Sequence, residues 1–297
     1  MAHPSPDIAK FHRLNRWRNS GFGFIPGVES AFRRAFERVR GELTDPVDVR
    51  LGRFTVLAAP RDPVVSERLI LRRRYEKRQT RLVRRLLSPG TVFCDVGANI
   101  GYYSMLASSI VGQDGRVIAF EPDPAHVALI ESAARLNRFS QIEVHAVALA
   151  AERGHATLPR NPLNAGDQSL LAANASAASD TIEVDVSTLD GILAKTLGDR
   201  PVDLLKIDTE GAEGLVLAGA SRTLDTPGLE ILLEFWPEGI ARFGGDPRAL
   251  LGELLERDFE IFSLERDGST PPLTADQALE LPDGQDQIDL YLRRNCA

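Results

Sequence analysis

An apolar strand, Val92-Phe93-Cys94-Asp95-Val96, runs straight into the glycine turn Gly97-Ala98-Asn99-Ile100-Gly101 and then into a helical pattern. No other feature constrains the fold as much. A buried strand needs neighbours on its edges, and a tight turn into a helix carries the chain back over the sheet, which starts a parallel βαβ unit. The rhythm continues with strand 116–120, helix 124–138 and strand 141–149. It resumes with strand 181–186, helix 189–197, strand 202–207, helix 212–224, strand 229–235, helix 247–257 and strand 259–264. An alternating segment at 287–293 reads as a closing antiparallel edge. The expected fold is α/β, a Rossmann-like, mostly parallel sheet with helices on both faces.

The leading segment differs in kind. Residues 1–90 hold 20 Lys and Arg against 9 Asp and Glu, whereas the remainder holds 15 against 33. Helical patterns at 30–41 and 66–87, the second crowded with arginine, lead to the turn Ser88-Pro89-Gly90. Two regions are therefore expected: a basic, mainly helical extension over 1–88 and a sheet domain over 89–297. The polar, alanine-rich stretch 161–180 interrupts the sheet rhythm and reads as a long loop of the kind that serves as a lid or stays disordered.

Composition removes other classes. Hydrophobic residues at 43% and charged residues at 26% describe a globular chain. No apolar run approaches the roughly 20 residues a membrane span requires. Pro4, Pro6 and Asp7 fall where an export signal would need apolar sequence. Cys94 and Cys296, the only cysteines, form neither a disulfide framework nor a thiolate metal site. The expected compartment is the cytoplasm.

The glycine turn permits close approach of a ligand, and the acid Glu121 in Phe120-Glu121-Pro122 ends the next strand, where a carboxylate accepts hydrogen bonds from a ribose diol. A dinucleotide turn reads G-x-G-x-x-G. Here Asn99 replaces the middle glycine and Tyr102 the last, and Asp95 would repel a pyrophosphate while suiting an ammonium group. The pattern favours S-adenosylmethionine over NAD.

These segments resemble the FkbM family of S-adenosylmethionine-dependent methyltransferases. The resemblance rests on Asp95 to Gly101, on Phe120-Glu121-Pro122, on Leu205-Lys206-Ile207-Asp208-Thr209-Glu210-Gly211-Ala212-Glu213 and on Leu232-Leu233-Glu234. It implies a seven-stranded class I methyltransferase sheet and O-methylation of a hydroxyl on a sugar, glycolipid or secondary metabolite. Glu76, Asp95, Gly97, Asn99, Gly101 and Glu121 are implied to hold the cofactor. Asp208 is implied to act on the acceptor, with Glu210, Glu213 and Glu234 as helpers. Thr209 stands where the family often has valine.

Simpler roles stand beside these. Asp208 also suits a helix cap, Glu210 and Glu213 a favourable helix start, and Lys206, two residues from Asp208 on the same strand face, a structural ion pair. An unperturbed aspartate, near 3.9, is a poor base for an alcohol, so Asp208 needs burial or the like charge of Glu234 to raise it; otherwise it only orients the hydroxyl. No metal ligand set is assigned: the acids could bridge a divalent ion, but no histidine joins them at ligand spacing. His126, His145 and His155 receive no chemistry, and Trp236 is read as core or as a ring that stacks on a sugar. The expected partner is a small-molecule or saccharide acceptor rather than nucleic acid. The rivals are an NAD-dependent oxidoreductase and a non-catalytic nucleoside-binding module that docks on nucleic acid through Arg72, Arg73, Arg74, Arg78, Arg81, Arg84 and Arg85.

Overall fold

The computed structural model describes residues 5–20, 26–159, 181–280 and 286–294. The predicted loop at 161–180 and Cys296 lie outside the described residues. The leading segment forms α1 (Pro6–Asn19), α2 (Pro26–Val39), a hairpin of β1 (Val47–Leu51) and β2 (Phe54–Ala58), α3 (Val65–Arg72) and α4 (Lys77–Leu86). Next come β3 (Val92–Val96), α5 (Tyr102–Val111), β4 (Arg116–Phe120), α6 (Pro124–Asn137), β5 (Ile142–His145), β6 (Ala148–Leu149), β7 (Gly154–Pro159) and β8 (Thr181–Ser187). They are followed by α7 (Leu189–Thr196), β9 (Leu204–Ile207), α8 (Glu213–Ala218), α9 (Ser221–Leu224) and β10 (Glu230–Phe235). The last elements are α10 (Pro237–Arg242), α11 (Pro247–Glu256), β11 (Phe259–Ser263), β12 (Pro272–Leu273), α12 (Ala275–Leu279) and β13 (Ile288–Arg294).

Among the described residues the main sheet has eight strands in the order β12-β11-β13-β10-β9-β3-β4-β5. The five strands from β10 to β5 pair in parallel, as the βαβ rhythm requires. The sheet carries one strand more than the seven expected, because the two-residue β12 adds to the edge beyond β11. β13 is antiparallel to its neighbours, as predicted, but it is no edge: it lies between β10 and β11.

Three predicted elements divide, each at an identifiable backbone event. The strand read over 141–149 splits where the Val147 amide turns back to the His145 carbonyl at 3.0 Å. Its end, β6, joins β7 and β8 in a separate three-stranded sheet, so β8 is not part of the main one. The basic helix read over 66–87 breaks at Arg73 and Glu76, which take left-handed φ of 51° and 31°. The helix read over 212–224 breaks at Gly219, where an added Cβ would stand 2.2 Å from the Ala150 carbonyl oxygen.

Helix starts follow their side chains. Asp123 and Asp246 accept hydrogen bonds from first-turn amides ahead of Pro124 and Pro247, and Thr188 caps α7. The sheet buries both faces. Cys94, Val96, Leu205, Ile207, Ile231 and Leu233 pack into one cluster with residues of α7, α8 and α11. Phe93, Leu204 and Leu232 share the other cluster with Phe11, Phe32, Phe36, Phe54 and Leu69 of the leading segment. Alternation along each strand places Asp95, Lys206, Asp208 and Glu234 on this second face, beneath the segment's helices.

One side chain joins the leading hairpin to the sheet's helical layer. Asn137, the last residue of α6, accepts from the Thr55 amide at 2.8 Å and donates to the Thr55 carbonyl at 2.6 Å. Replacing it leaves both backbone groups unpaired, so Asn137→Ala should lower unfolding free energy by roughly 2 kcal/mol. Urea denaturation measures this. An unchanged midpoint would show that the hairpin is held by packing alone.

Candidate active site

A cavity of about 340 Å³ opens at the carboxyl ends of β3, β4, β9 and β10. This is where open α/β sheets bind ligands, and the volume suits a nucleoside-sized molecule. Glu76, Gly97, Asn99, Glu121, Asp208, Glu210 and Glu234 all line it. Three sequence-predicted site residues do not. Asp95 lies behind the wall at 1% exposure, Gly101 packs on Ile130, and Glu213 is fully buried.

The glycine turn is folded onto the end of β4. The Gly97 and Ala98 amides both donate to the Phe120 carbonyl, the Asn99 amide to Glu121 Oε2 at 2.8 Å, the Ile100 amide to Asn99 Oδ1 and the Gly101 amide to the Ala98 carbonyl. All five amides of the turn therefore already have acceptors within the protein. The turn itself leaves no free amide for a pyrophosphate, which counts against the NAD reading. Gly97 is obligatory for two reasons. Its φ is +77°, and a Cβ would stand 1.7 Å from the Asp208 carbonyl oxygen.

Glu121 is fixed by its neighbours. Its Oε1 accepts from the Asp123 amide at 2.9 Å and lies 3.4 Å from His126 Nδ1. Oε2, which accepts from the Asn99 amide, keeps a second lone pair that a ribose hydroxyl fits. His126, given no role from sequence, lines the cavity; burial pulls its imidazolium down, but Glu121 outweighs this and leaves it above its ordinary value.

The acidic residues are organised by one cation. Lys206 is 4% exposed, sits beside Asp95 in the strand register and donates to Asp208 Oδ2 at 2.6 Å. Burial would lower its pKa, yet the charges of Asp208, Asp95 and Glu76 hold it above the ordinary lysine value. Burial alone would raise Asp208, but Lys206 and a hydrogen bond with Glu234 hold it below the ordinary carboxylate value. Burial and the charges of Asp208 and Glu210 push Glu234 well up, the opposite direction to Asp208. A raised Asp208 is thus not what the fold provides. β9 and β10 are adjacent, as the expected approach of Asp208 and Glu234 requires.

Glu213 has a different part. Its Oε1 accepts from the Thr209 amide and hydroxyl and from the Gly211 amide, at 3.0, 3.0 and 3.1 Å. It closes the 208–213 loop instead of facing a ligand. Asp208 caps no helix, since α8 begins only at Glu213 with Ala212 at its cap position and no side-chain cap. The left-handed Glu210, φ 53°, brings its carboxylate beside those of Asp208 and Glu234. One oxygen from each of the three lies within 4.8 Å of the others, an oxygen donor set that carboxylate groups often form without an ion.

The roof comes from the leading segment. Val64, Val65 and Arg68 of the α3 region line the cavity with Tyr75 and Glu76. Tyr103 donates to Glu76 Oε2 at 2.8 Å, and burial with the nearby Asp208 charge pushes Glu76 up to about 7. On the opposite wall Val147, Ala148, Leu149 and Leu158 give an apolar slot. Sequence reading missed the slot; its one signal was an apolar run directly after a parallel strand. Trp236 lies off the cavity, with its ring against Gly239 and the Arg242 guanidinium 5.1 Å from its centroid.

An S-adenosylmethionine molecule fits these residues. Gly97 leaves room where a side chain would fill the turn, and the carboxylates of Asp208 and Glu210 on the cavity wall suit a cation. Fold and cavity together define an α/β domain of the methyltransferase kind. Residues 95–261 match the family model described as Methyltransferase FkbM domain, and the chain belongs to that family, whose domains use S-adenosylmethionine. It is 29% identical over 141 residues to Methyltransferase 1 of Beauveria bassiana (strain ARSEF 2860), covering 42% of this chain and 56% of the relative. The chain thus spans little more than half the length of that curated relative. Among solved structures it is similar to methyltransferase FkbM from Methylobacillus flagellatus KT, at 15% identity and TM-score 0.44, with 96% of this chain and 58% of that one covered. It is also similar to a SAM-dependent O-methyltransferase from Thermotoga maritima, at 12% identity and TM-score 0.41, with 78% and 71% covered.

Two measurements probe the charge arrangement. Lys206→Met leaves buried carboxylates without their cation and should lower stability by about 3–5 kcal/mol in chemical denaturation; a loss under about 1 kcal/mol would mean the cluster is solvated. Glu76 gives a pH test. Its pKa rises from 4.5 to about 7 on folding, so its contribution to stability is full below pH 4.5 and lost as pH climbs through 7. Melting temperatures should therefore favour Glu76→Gln over the unsubstituted protein more at pH 8 than at pH 5. Parallel curves would contradict the assignment.

Proposed function

We propose that the protein methylates a hydroxyl oxygen of a small metabolite or saccharide, with S-adenosylmethionine as donor. The observation that carries this reading is the Lys206–Asp208 pair, 2.6 Å apart, on the same cavity as the Gly97 turn and Glu121. The cofactor, when bound, supplies a methyl group on a positively charged sulfur. Glu121 accepts from its ribose hydroxyls, Gly97 and Asn99 admit the chain beside them, and the slot of Val147 to Leu149 receives the base. The carboxylates of Asp208 and Glu210 on the cavity wall contribute negative potential that favours the sulfonium and ammonium groups.

Asp208 is the acceptor-side residue. Its carboxylate takes the hydrogen bond of the acceptor hydroxyl and aligns a lone pair, the largest contribution such a site makes. A carboxylate below its ordinary value is a weak base for a resting alcohol. The hydroxyl becomes far more acidic as its oxygen gains the methyl group, so Asp208 can then receive the proton while the carbon–sulfur bond breaks and the carbon–oxygen bond forms. Its permanent ionisation means that this role is present across the neutral range. Glu210 and Glu234 flank the acceptor, and Glu213 supports the loop that carries Asp208 and Glu210.

A nucleic-acid acceptor has less support. Three arginines of the basic run, Arg78, Arg81 and Arg85, donate to the carbonyls of Leu264, Arg266 and Gly268. Among the described residues no helix is long and apolar enough to cross a membrane.

Asp208→Asn should leave the affinity for S-adenosylhomocysteine within about threefold, while single-turnover methyl transfer to the accepted hydroxyl falls by about 10²-fold or more. Intact turnover would reduce Asp208 to a structural partner of Lys206. Loss of cofactor binding would place it on the donor side.

A further inference from the structure

A second cavity, about 680 Å³, lies beside the first and shares Arg68, Tyr75 and Glu76 with it. Its walls come from α1, α2, α3 and the turn into α4, and they carry seven cationic side chains against two carboxylates. Neither carboxylate balances that charge. Glu29 is taken by Arg18 at 3.0 Å, and Glu76 holds a hydrogen bond from Tyr103. Arg33, Arg68, Arg72, Arg74 and Lys77 make no ion pair among the described residues.

The backbone is shaped to converge these groups. Arg73 and Glu76 both occupy left-handed φ, so the chain kinks between α3 and α4 and turns residues 72–74 into the cavity instead of along one helix. Arg73 anchors the kink by donating to the Arg18 carbonyl at 2.8 Å and to Asn19 Oδ1 at 2.6 Å. Its Nε is buried with no partner, a donor awaiting an acceptor. Burial and the charge of Arg73 also pull Arg18 down to about 10, the mark of uncompensated positive potential.

We propose that this cavity is a subsite for a phosphate or diphosphate ester carried by the methyl acceptor, placed so that the ester sits among the arginines while a hydroxyl of the same molecule reaches Asp208. The inference rests on the proposed methyl transfer and narrows its substrate class. Guanidinium forks match phosphate oxygens in geometry as well as charge. The shared wall of Arg68, Tyr75 and Glu76 puts the two cavities within one small molecule's reach. A continuous nucleic-acid backbone fits less well, because three of the four arginines beyond Lys77 in α4 donate to carbonyls of the 264–268 segment.

The test is calorimetric titration of the full chain with inorganic pyrophosphate at physiological salt, in the presence of S-adenosylhomocysteine. Saturable binding is expected, and Arg72→Ala with Arg74→Ala, both exposed side chains, should weaken it at least about tenfold. The double variant should keep its S-adenosylhomocysteine affinity within about twofold. Arg33→Ala, on a different helix, should weaken pyrophosphate binding as well and serves if the double variant is poorly folded. Uridine diphosphate and vesicles containing phosphatidic acid separate a soluble from a lipid-borne ester, and arginine-dependent binding of either supports the subsite. No heat from pyrophosphate, or heat unchanged by the substitutions, overturns it. So does a single-stranded RNA that binds more tightly than pyrophosphate and depends on the same arginines. Failure to bind S-adenosylhomocysteine would instead strike at the methyl-transfer reading, with the pyrophosphate result still interpretable by itself.

Discussion

The site depends on one buried ammonium. Lys206 is the cation at the centre of a sheet face that carries Asp95, Asp208 and Glu234, with Glu76 descending from the segment above. Buried carboxylates this close would not remain charged together without it. With it, the carboxylates diverge: Asp208 is held below its ordinary value, Glu234 is pushed well above, and Glu76 is raised to about 7. The same arrangement makes a negative, partly desolvated pocket beside a turn whose amides are all engaged. Such a pocket selects a cationic nucleoside over an anionic one.

Much of this was legible in the chain. The strand, glycine turn and helix at 92–111, the acid closing β4 and the Lys206-x-Asp208 spacing follow from strand alternation and turn chemistry, which are local. Two-residue periodicity states which face a side chain takes, so the Lys206–Asp208 pair could be anticipated. It does not state depth along the ligand's path. That is why Asp95 and Gly101, correct in position relative to the turn, lie behind the cavity wall, and why Glu213, correct in sequence motif, points into its own loop.

The remainder depends on tertiary contacts. Which of two neighbouring carboxylates keeps a proton depends on burial and on the third charge nearby, and neither is written in the spacing of residues 208 and 234. The apolar slot at 147–149 arises because β6 leaves the main sheet, an event fixed by a single backbone turn. The roof arises because Arg73 and Glu76 break an arginine-rich helix that periodicity alone reads as continuous. That break turns a basic helical surface into a concave one and gives the leading segment a part in the site.

A crystal structure of the chain with S-adenosylhomocysteine would show whether the nucleoside sits above the Lys206–Asp208 pair. Ribose hydroxyls are expected on Glu121, the adenine in the slot beside Val147, and the sulfur turned toward Asp208 above Lys206. A nucleoside bound elsewhere, or one whose sulfur faces away from Asp208 with the Lys206 pair left remote, would contradict this placement.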